Sequence, residues 1–378
     1  MRCNMKFYRF MEFFSRFVAL AGNRSLPQNA RVMGNLFAYH TQKWGKISAH
    51  NPITAQIEPT LRCNLACRMC VRTELGVPLG EMSFETFKSI IDKLDTIVKI
   101  HLQGQGEPFL ARDLFQMIDY AASKGIVVNL TSNATLFTEK IVEKICQSQI
   151  NKMILSVDST EKETYESIRK LAKFDVVVAG IKRLTSKRKE TGAKFKLAIA
   201  AVVMKKNMNE LPKFVQFAHE LGVEQLEFQD LQEKDDYLEK YEKTGFSKDE
   251  VVVSYKTQIK RLISEARTEG KKFGVTVAYD DENDSKCIWP WRSIYLNWQG
   301  RVTPCCVILE PHKFGDMNLA EQPLEEIWNG SYYQALRDGL LNKDTPMFKL
   351  CEGCRWAKPY LQMKTPAGLP GVNVAVAH

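Results

Sequence analysis

Six apolar, β-branched runs, each feeding into a helical pattern, restrict this chain's fold more than any other feature. The runs begin near Ile53, Ile97, Ile126, Met153, Phe195 and Gln225. Helical periodicity occupies 84–94, 114–123, 139–147 and 211–221, with Ser83 and Thr138 placed as N-caps. Strand and helix in strict alternation predict a parallel sheet with helices outside it. A closed barrel of this kind has eight units, so six predict an α/β fold of the open, partial (β/α)6 type.

Composition supports an ordinary folded domain. Of 378 residues, 44% are hydrophobic, enough for a full core. No run of about 18 uncharged apolar residues occurs, so no membrane-spanning helix is predicted. The net charge of +9 comes from scattered Lys and Arg, and that dispersal argues against a nucleic-acid partner. The ten cysteines fall into ligand-like clusters rather than a disulfide framework. Such clusters need reduced thiolates, which predicts a cytoplasmic protein.

The first cluster is the run Cys63-Asn64-Leu65-Ala66-Cys67-Arg68-Met69-Cys70, immediately after the first predicted strand. Three thiolates at these spacings can hold three irons of a [4Fe–4S] cube and leave the fourth open to a small molecule. Electron carriers close every iron with four thiolates. A zinc knuckle is the competing reading, but zinc takes four Cys or His ligands. The nearest histidines here are His50 and His101, outside the loop.

The spacing resembles the signature of the radical S-adenosylmethionine (SAM) enzymes, and the polar segments at later strand ends strengthen the resemblance. It implies an open iron that chelates SAM and an electron that cleaves it to a 5′-deoxyadenosyl radical. Gln103-Gly104-Gln105-Gly106-Glu107-Pro108 lies where the family carries its Gly-Gly-Glu motif. Gln105 departs from the motif, so the SAM-amino role transfers to Gly106 and Glu107; a tight turn is the plain alternative. Ser132 and Asn133 after the third strand, and Ser156 and Asp158 after the fourth, resemble segments that line the SAM pocket. Ser132 could instead cap the following helix. Arg169 matches an arginine used against the SAM carboxylate in several relatives, with a solvated helix arginine as its bland counterpart.

A second cysteine set closes the chain: Cys287, Gly300 and Cys305, then Cys351 and Cys354. With the strand pattern around 293–302, it resembles a SPASM domain or its shorter twitch relative. The full SPASM pattern has seven cysteines. Four thiolates suffice for one closed auxiliary [4Fe–4S] cluster, while a four-cysteine zinc site fits the same spacing. Cys306 reads as a bystander that could exchange with Cys305.

The expected organisation is an amphipathic extension (1–50), a radical SAM core (51–231), a charged linker and helix (232–280), an auxiliary-cluster domain (281–360) and a tail (361–378). The stretch 232–250 reads as solvated. Residues 5–20 read as a helix with Phe7, Phe10, Phe14 and Phe17 on one face, which either packs on the barrel or touches a membrane surface. Expected partners are SAM, a flavodoxin- or ferredoxin-type electron donor and a substrate whose class stays open. A peptide maturase and a small-molecule or lipid-linked dehydrogenase compete. The short segment before the barrel favours the small molecule, and a zinc-stabilised binding protein is the non-enzyme alternative. No general base is legible.

Overall fold

The computed structural model describes residues 24–42, 44–231, 235–247, 250–279 and 287–342, with 351, 354, 356 and 357. The amphipathic segment 5–20, Cys3 and the tail from 361 lie outside these residues.

All six expected strand–helix units are present. The strands are β1 (Thr54–Ile57), β2 (Lys99–Leu102), β3 (Val127–Ser132), β4 (Lys152–Ser156), β5 (Lys196–Val203) and β6 (Gln225–Asp230). The helices form where capping and apolar spacing agree. After α1 (Leu26–Thr41), the chain enters α2 (Phe84–Lys93) through Ser83, whose hydroxyl accepts the Thr86 amide at 3.1 Å. Helix α2 then buries Phe87, Ile90 and Ile91 on one face. After α3 (Leu114–Ser123), α4 (Glu139–Gln147) repeats the device, with Thr138 accepting from Ile141 N at 3.4 Å and Val142 and Ile145 buried. The period-2 pattern of β1 and β2 sends Ile57, Ile100 and Leu102 outward beneath the helices, each fully buried. Thr54, Gln56, Lys99 and His101 face the other way, half-buried.

The sheet is longer than six strands. Its order is β7-β6-β5-β4-β3-β2-β1-β8-β9, where β7 is Thr276–Tyr279, β8 is Ser293–Leu296 and β9 is Val302–Thr303. Both added neighbours are parallel: β7 extends β6, and β8 extends β1 in the register Thr54↔Ser293. Only β9 runs antiparallel. The segment 232–280, expected as linker and helix, therefore contributes an edge strand to the sheet, preceded by α8 (Asp235–Lys243) and α9 (Lys256–Phe273); α5 (Lys162–Ile168), α6 (Phe174–Thr191) and α7 (Lys213–Glu220) complete the helical layer before it. The expectation that 232–250 is solvated is corrected too. Tyr241 and Phe246 are buried against Leu61, Val71 and Leu75 beside the cysteine loop.

A strap precedes β1. Trp291 Nε1 donates to Gly45 O at 2.8 Å, Trp328 Nε1 to His50 O at 2.6 Å, and the Asn329 side chain pairs with both Ser48 N and Ser48 O. These partners flank α11 (Leu324–Trp328) and α12 (Ser331–Leu341). Arg337 on α12 is fully buried, stacked on Trp328 and Tyr333, and donates to Lys46 O, Pro290 O and Asn329 Oδ1.

Candidate active site

The loop after β1 is fixed at both edges. Ala66 N and Arg68 N donate to Lys170 O and Ile168 O at the end of α5, and Thr244 Oγ1 donates to Arg68 O from the far side. Cys63, Cys67 and Cys70 are thereby held half-buried. Burial pushes the Cys67 thiol up to about 12, and the charges of Cys70 and Cys63 add to it. Adjacent thiols in so apolar a setting become thiolates only against a bound cation. Donors also face the sulfurs: Leu65 N lies 3.4 Å from Cys63 Sγ, and Asn133 Nδ2 and Arg169 Nη1 lie 4.0 Å from Cys63 and Cys67. The residues fit an iron–sulfur cluster.

Gly104 and Gly106 are required where they stand. A Cβ on Gly106 would meet Thr60 O at 2.1 Å, and one on Gly104 would meet the Glu58 side chain at 2.2 Å. Between them, Gln105 N donates to Glu58 Oε2 at 2.8 Å, and Gln105 Oε1 accepts from Cys70 Sγ at 3.5 Å. Gln105, the departure from the family motif, thus ties the glycine loop to the cysteine loop. Glu107 is buried with both carboxylate oxygens engaged: Ser132 Oγ and Phe109 N on Oε1, Asn133 N on Oε2. Burial raises it to about 7, against the pull of these donors. Ser132 also accepts from Ala134 N at 3.0 Å, and Asn133 reaches Asn64 Oδ1 at 3.0 Å. Glu107, Ser132 and Asn133 therefore form one buttress behind the cysteine loop.

Arg169 is buried, not solvated, and pairs through Nε with Asp158 Oδ2 at 2.7 Å. Burial opposes its charge, and Asp158 and Cys67 outweigh that cost. Asp158 is fully buried, its other oxygen accepting Val202 N at 2.8 Å. Ser156 stands half-buried at the end of β4, apart from this network.

Glu58 belongs to the site although no motif singles it out. It is 1% exposed, accepts from Gln105 N and from Tyr295 Oη at 3.2 Å, and is raised by burial to about 7. An acidic residue directly after an apolar strand was the available signal. Also unforeseen is the chain His101–Thr131–Gln103: His101 Nε2 lies 2.8 Å from Thr131 Oγ1, whose proton goes to Gln103 Oε1 at 3.0 Å. Thr131 can then only accept, which sets the proton of a neutral His101 on Nε2.

The second cysteine set also converges. Burial raises Cys287 to about 12, with Cys305 and Cys354 contributing. Cys287 N donates to Trp356 O, next to Cys354. Cys351 packs with Cys287 and Cys354 around Trp291, Leu336 and Leu340. Cys305 Sγ accepts from Val307 N and Ile308 N, both at 3.4 Å. Cys306 stands beside this set: a hydrogen bond with Cys305 and burial raise its thiol, and Cys287 and Cys354 act in the same direction. Trp289 Nε1 near Cys287, and Tyr333 Oη within the field of Cys305, are buried donors without a partner among the described residues. Such donors suit cluster sulfides, so the residues fit an auxiliary cluster. A cavity of about 670 Å³ extends from Met69 and Val71, the neighbours of Cys70, and Gln105 to Cys287, Cys305, Cys351 and Cys354.

Comparison with known proteins agrees. The profile of the radical SAM superfamily matches residues 57–218, and that of an iron–sulfur cluster-binding domain, SPASM, matches 287–355. The AdoMet-dependent heme synthase of Methanosarcina barkeri is 30% identical over 322 residues, 79% of this chain and 89% of that protein. The PqqA peptide cyclase of Xanthomonas euvesicatoria pv. vesicatoria is 24% identical over 321 residues, covering 80% of each. Among solved structures, Streptococcus suis SuiB shares the fold with a TM-score of 0.63 at 17% identity, over 76% of this chain and 68% of that one. No described helix is long and apolar enough to cross a membrane. With a three-cysteine loop, a buried carboxylate network behind it and a second cysteine set joined by one mostly parallel sheet, the chain belongs to the radical SAM superfamily and is an enzyme of its SPASM-containing branch.

Proposed function

We propose that this enzyme abstracts hydrogen from a C–H bond of a peptide-borne residue and completes a net oxidation or cross-link beside the auxiliary cluster. The observation that carries the reading is a cavity that runs from Met69, Val71 and Gln105, beside the first cysteine loop, to the cysteines of the second set. When bound, the cluster and SAM supply a 5′-deoxyadenosyl radical. The protein's part is to hold and shield. Cys63, Cys67 and Cys70 would hold the cluster, and Gly106 lets the glycine loop pack closely on Thr60 O and Arg62 O beside it. Glu107, Ser132, Asn133, Asp158 and Arg169 keep that pocket in shape. Cys287, Cys305, Cys351 and Cys354 would hold the auxiliary cluster, and a flavodoxin or ferredoxin would deliver the electron. Similarity to a peptide cyclase across most of the chain supports a peptide substrate. The higher identity to a heme synthase supports a small-molecule reading as the second possibility.

Replacing Cys63, Cys67 or Cys70 by Ala should abolish 5′-deoxyadenosine formation under dithionite while the auxiliary cluster still assembles. Reconstituted wild type should carry about eight irons and the triple variant about four, on the two-cube count. Deoxyadenosine from any single variant, or zinc in the triple variant, overturns the assignment. Mass spectrometry of candidate peptides after anaerobic turnover then separates the two substrate classes.

A further inference from the structure

Among the described residues, the polar groups that reach the sulfurs of the first cysteine loop are donors with one exception. Leu65 N lies 3.4 Å from Cys63 Sγ, Asn133 Nδ2 and Arg169 Nη1 lie 4.0 Å from Cys63 and Cys67, and Arg72 N bonds to Cys70. The exception is the amide oxygen of Gln105, which accepts the thiol proton of Cys70 at 3.5 Å. That contact suits a protonated sulfur alone. An iron-bound sulfur carries no proton and can only accept, so a carbonyl oxygen facing it is repelled.

The backbone of the glycine loop cannot move to relieve this conflict. Gln105 N is tied to Glu58 Oε2 at 2.8 Å. Glu58 is held in turn by Tyr295 Oη at 3.2 Å, from β8, the strand that follows α10 (Trp289–Arg292). On either side, Gly104 lies against the Glu58 side chain and Gly106 against Thr60 O and Arg62 O, each too closely to admit a Cβ. The side chain, in contrast, has a way out. Gln105 lines the cavity, and its Nε2 has no partner among the described residues. Half a turn about the last torsion, which is broad and two-fold, exchanges Oε1 for Nε2 without breaking another bond.

We propose that in the loaded enzyme Gln105 donates Nε2–H to the Cys70 sulfur and thereby raises the reduction potential of the cluster held by Cys63, Cys67 and Cys70. A hydrogen bond to a ligand sulfur stabilises the reduced, more negative state over the oxidised one, and such bonds are among the means by which a protein sets a cluster's potential. The residue that departs from the glycine motif thus eases reduction by a flavodoxin- or ferredoxin-type donor, acting through Cys70. The inference rests on the proposed function, in which these three cysteines hold the cluster.

The test is a redox titration of the reconstituted full-length enzyme followed by electron paramagnetic resonance. The signal that changes on addition of SAM reports the first cluster, and the unresponsive signal reports the auxiliary one. In Gln105→Leu the midpoint of the SAM-responsive signal should fall, by roughly threefold to tenfold in the reduction equilibrium, or about 30–60 mV where tenfold is 59 mV. The other midpoint should stay where it is. Gln105→Met, equally unable to donate, should behave alike. A merely structural Gln105 would lower iron content and leave the midpoint of the remaining cluster unchanged, so an unchanged or raised midpoint overturns the proposal. If neither variant assembles the cluster, wild type labelled with amide-15N glutamine decides. Pulsed resonance of its SAM-responsive signal should show a 15N coupling, and the absence of that coupling overturns the proposal. A wild type with no SAM-responsive signal overturns the cluster assignment and the proposal together, whereas such a signal with an insensitive midpoint overturns the proposal alone.

Discussion

At the scale of single residues, Glu58 carries the clearest thermodynamic signature. Burial raises it from 4.5 to about 7, so the native state favours its protonated form. Between these values the folded protein binds more protons than the unfolded chain, and stability falls as pH rises. The full effect is at most about 3 kcal/mol, taking 1.36 kcal/mol for each pH step. Glu58→Gln keeps an acceptor for Gln105 N and removes the titration. The melting temperature of the variant should fall less steeply between pH 5 and pH 8 than that of wild type, with Glu107 acting in the same direction as Glu58 and the buried, neutral His101 in the opposite one. A wild-type slope retained in full would contradict this account. Gly106→Ala is a steric counterpart: its Cβ would stand 2.1 Å from Thr60 O, and the backbone must shift to admit it. SAM affinity should fall at least ~tenfold, about 1.4 kcal/mol, in equilibrium dialysis, with both clusters still assembled.

Elements were the most legible level. Ser83 and Thr138 cap the helices their positions suggested, because an N-cap is a local bond between a side chain and an amide three residues on. Ser83→Ala should accordingly cost about 1 kcal/mol in urea denaturation, whereas Ser83→Asp should be close to neutral. Six strands were readable because buried parallel strands are continuous or alternating apolar runs. Strand β7 was not: it is a four-residue edge strand, exposed at Thr276 and Ala278, with too little apolar pattern to stand out. The run at Ser293 was visible as a strand, yet its place beside β1 depends on a pairing across more than 200 residues, which no local pattern records. The same limit applies at the site. Cysteine spacing exposes the cluster loops, while the Glu58–Gln105–Cys70 connection exists only after β1 and β2 pair, and the Arg169–Asp158 pair only after the end of α5 folds back on the end of β4.

For the whole molecule, the two cysteine sets act through one sheet, since β1 leads into the first and its neighbour β8 emerges from the second. The strap at 45–50 fastens this arrangement from below through Asn329 and Arg337. Asn329→Ala removes the partners of Ser48 N and Ser48 O and the nearer of the two acceptors of Arg337 Nη1. At about 1 kcal/mol for each net hydrogen bond, the loss should be roughly 2–3 kcal/mol. In the Cys63/Cys67/Cys70 triple-Ala background, the variant should release its remaining iron to a chelator faster than the background does. An unchanged release rate would show that the strap does not support the auxiliary site.

The strap also dictates an order of manufacture. Ser48 leaves the ribosome 281 residues ahead of Asn329, an interval of about 15–60 s at ordinary elongation rates. Throughout that time the barrel strands can pair, but the strap has nothing to hold. The cysteines of the auxiliary set all follow residue 286, so they emerge in the same late window as the strap's partners. Metal delivery to the auxiliary site is therefore a closing event in biosynthesis, coincident with the joining of the two ends of the fold. A cell short of iron at that moment would accumulate chains with a formed barrel and an unsealed base.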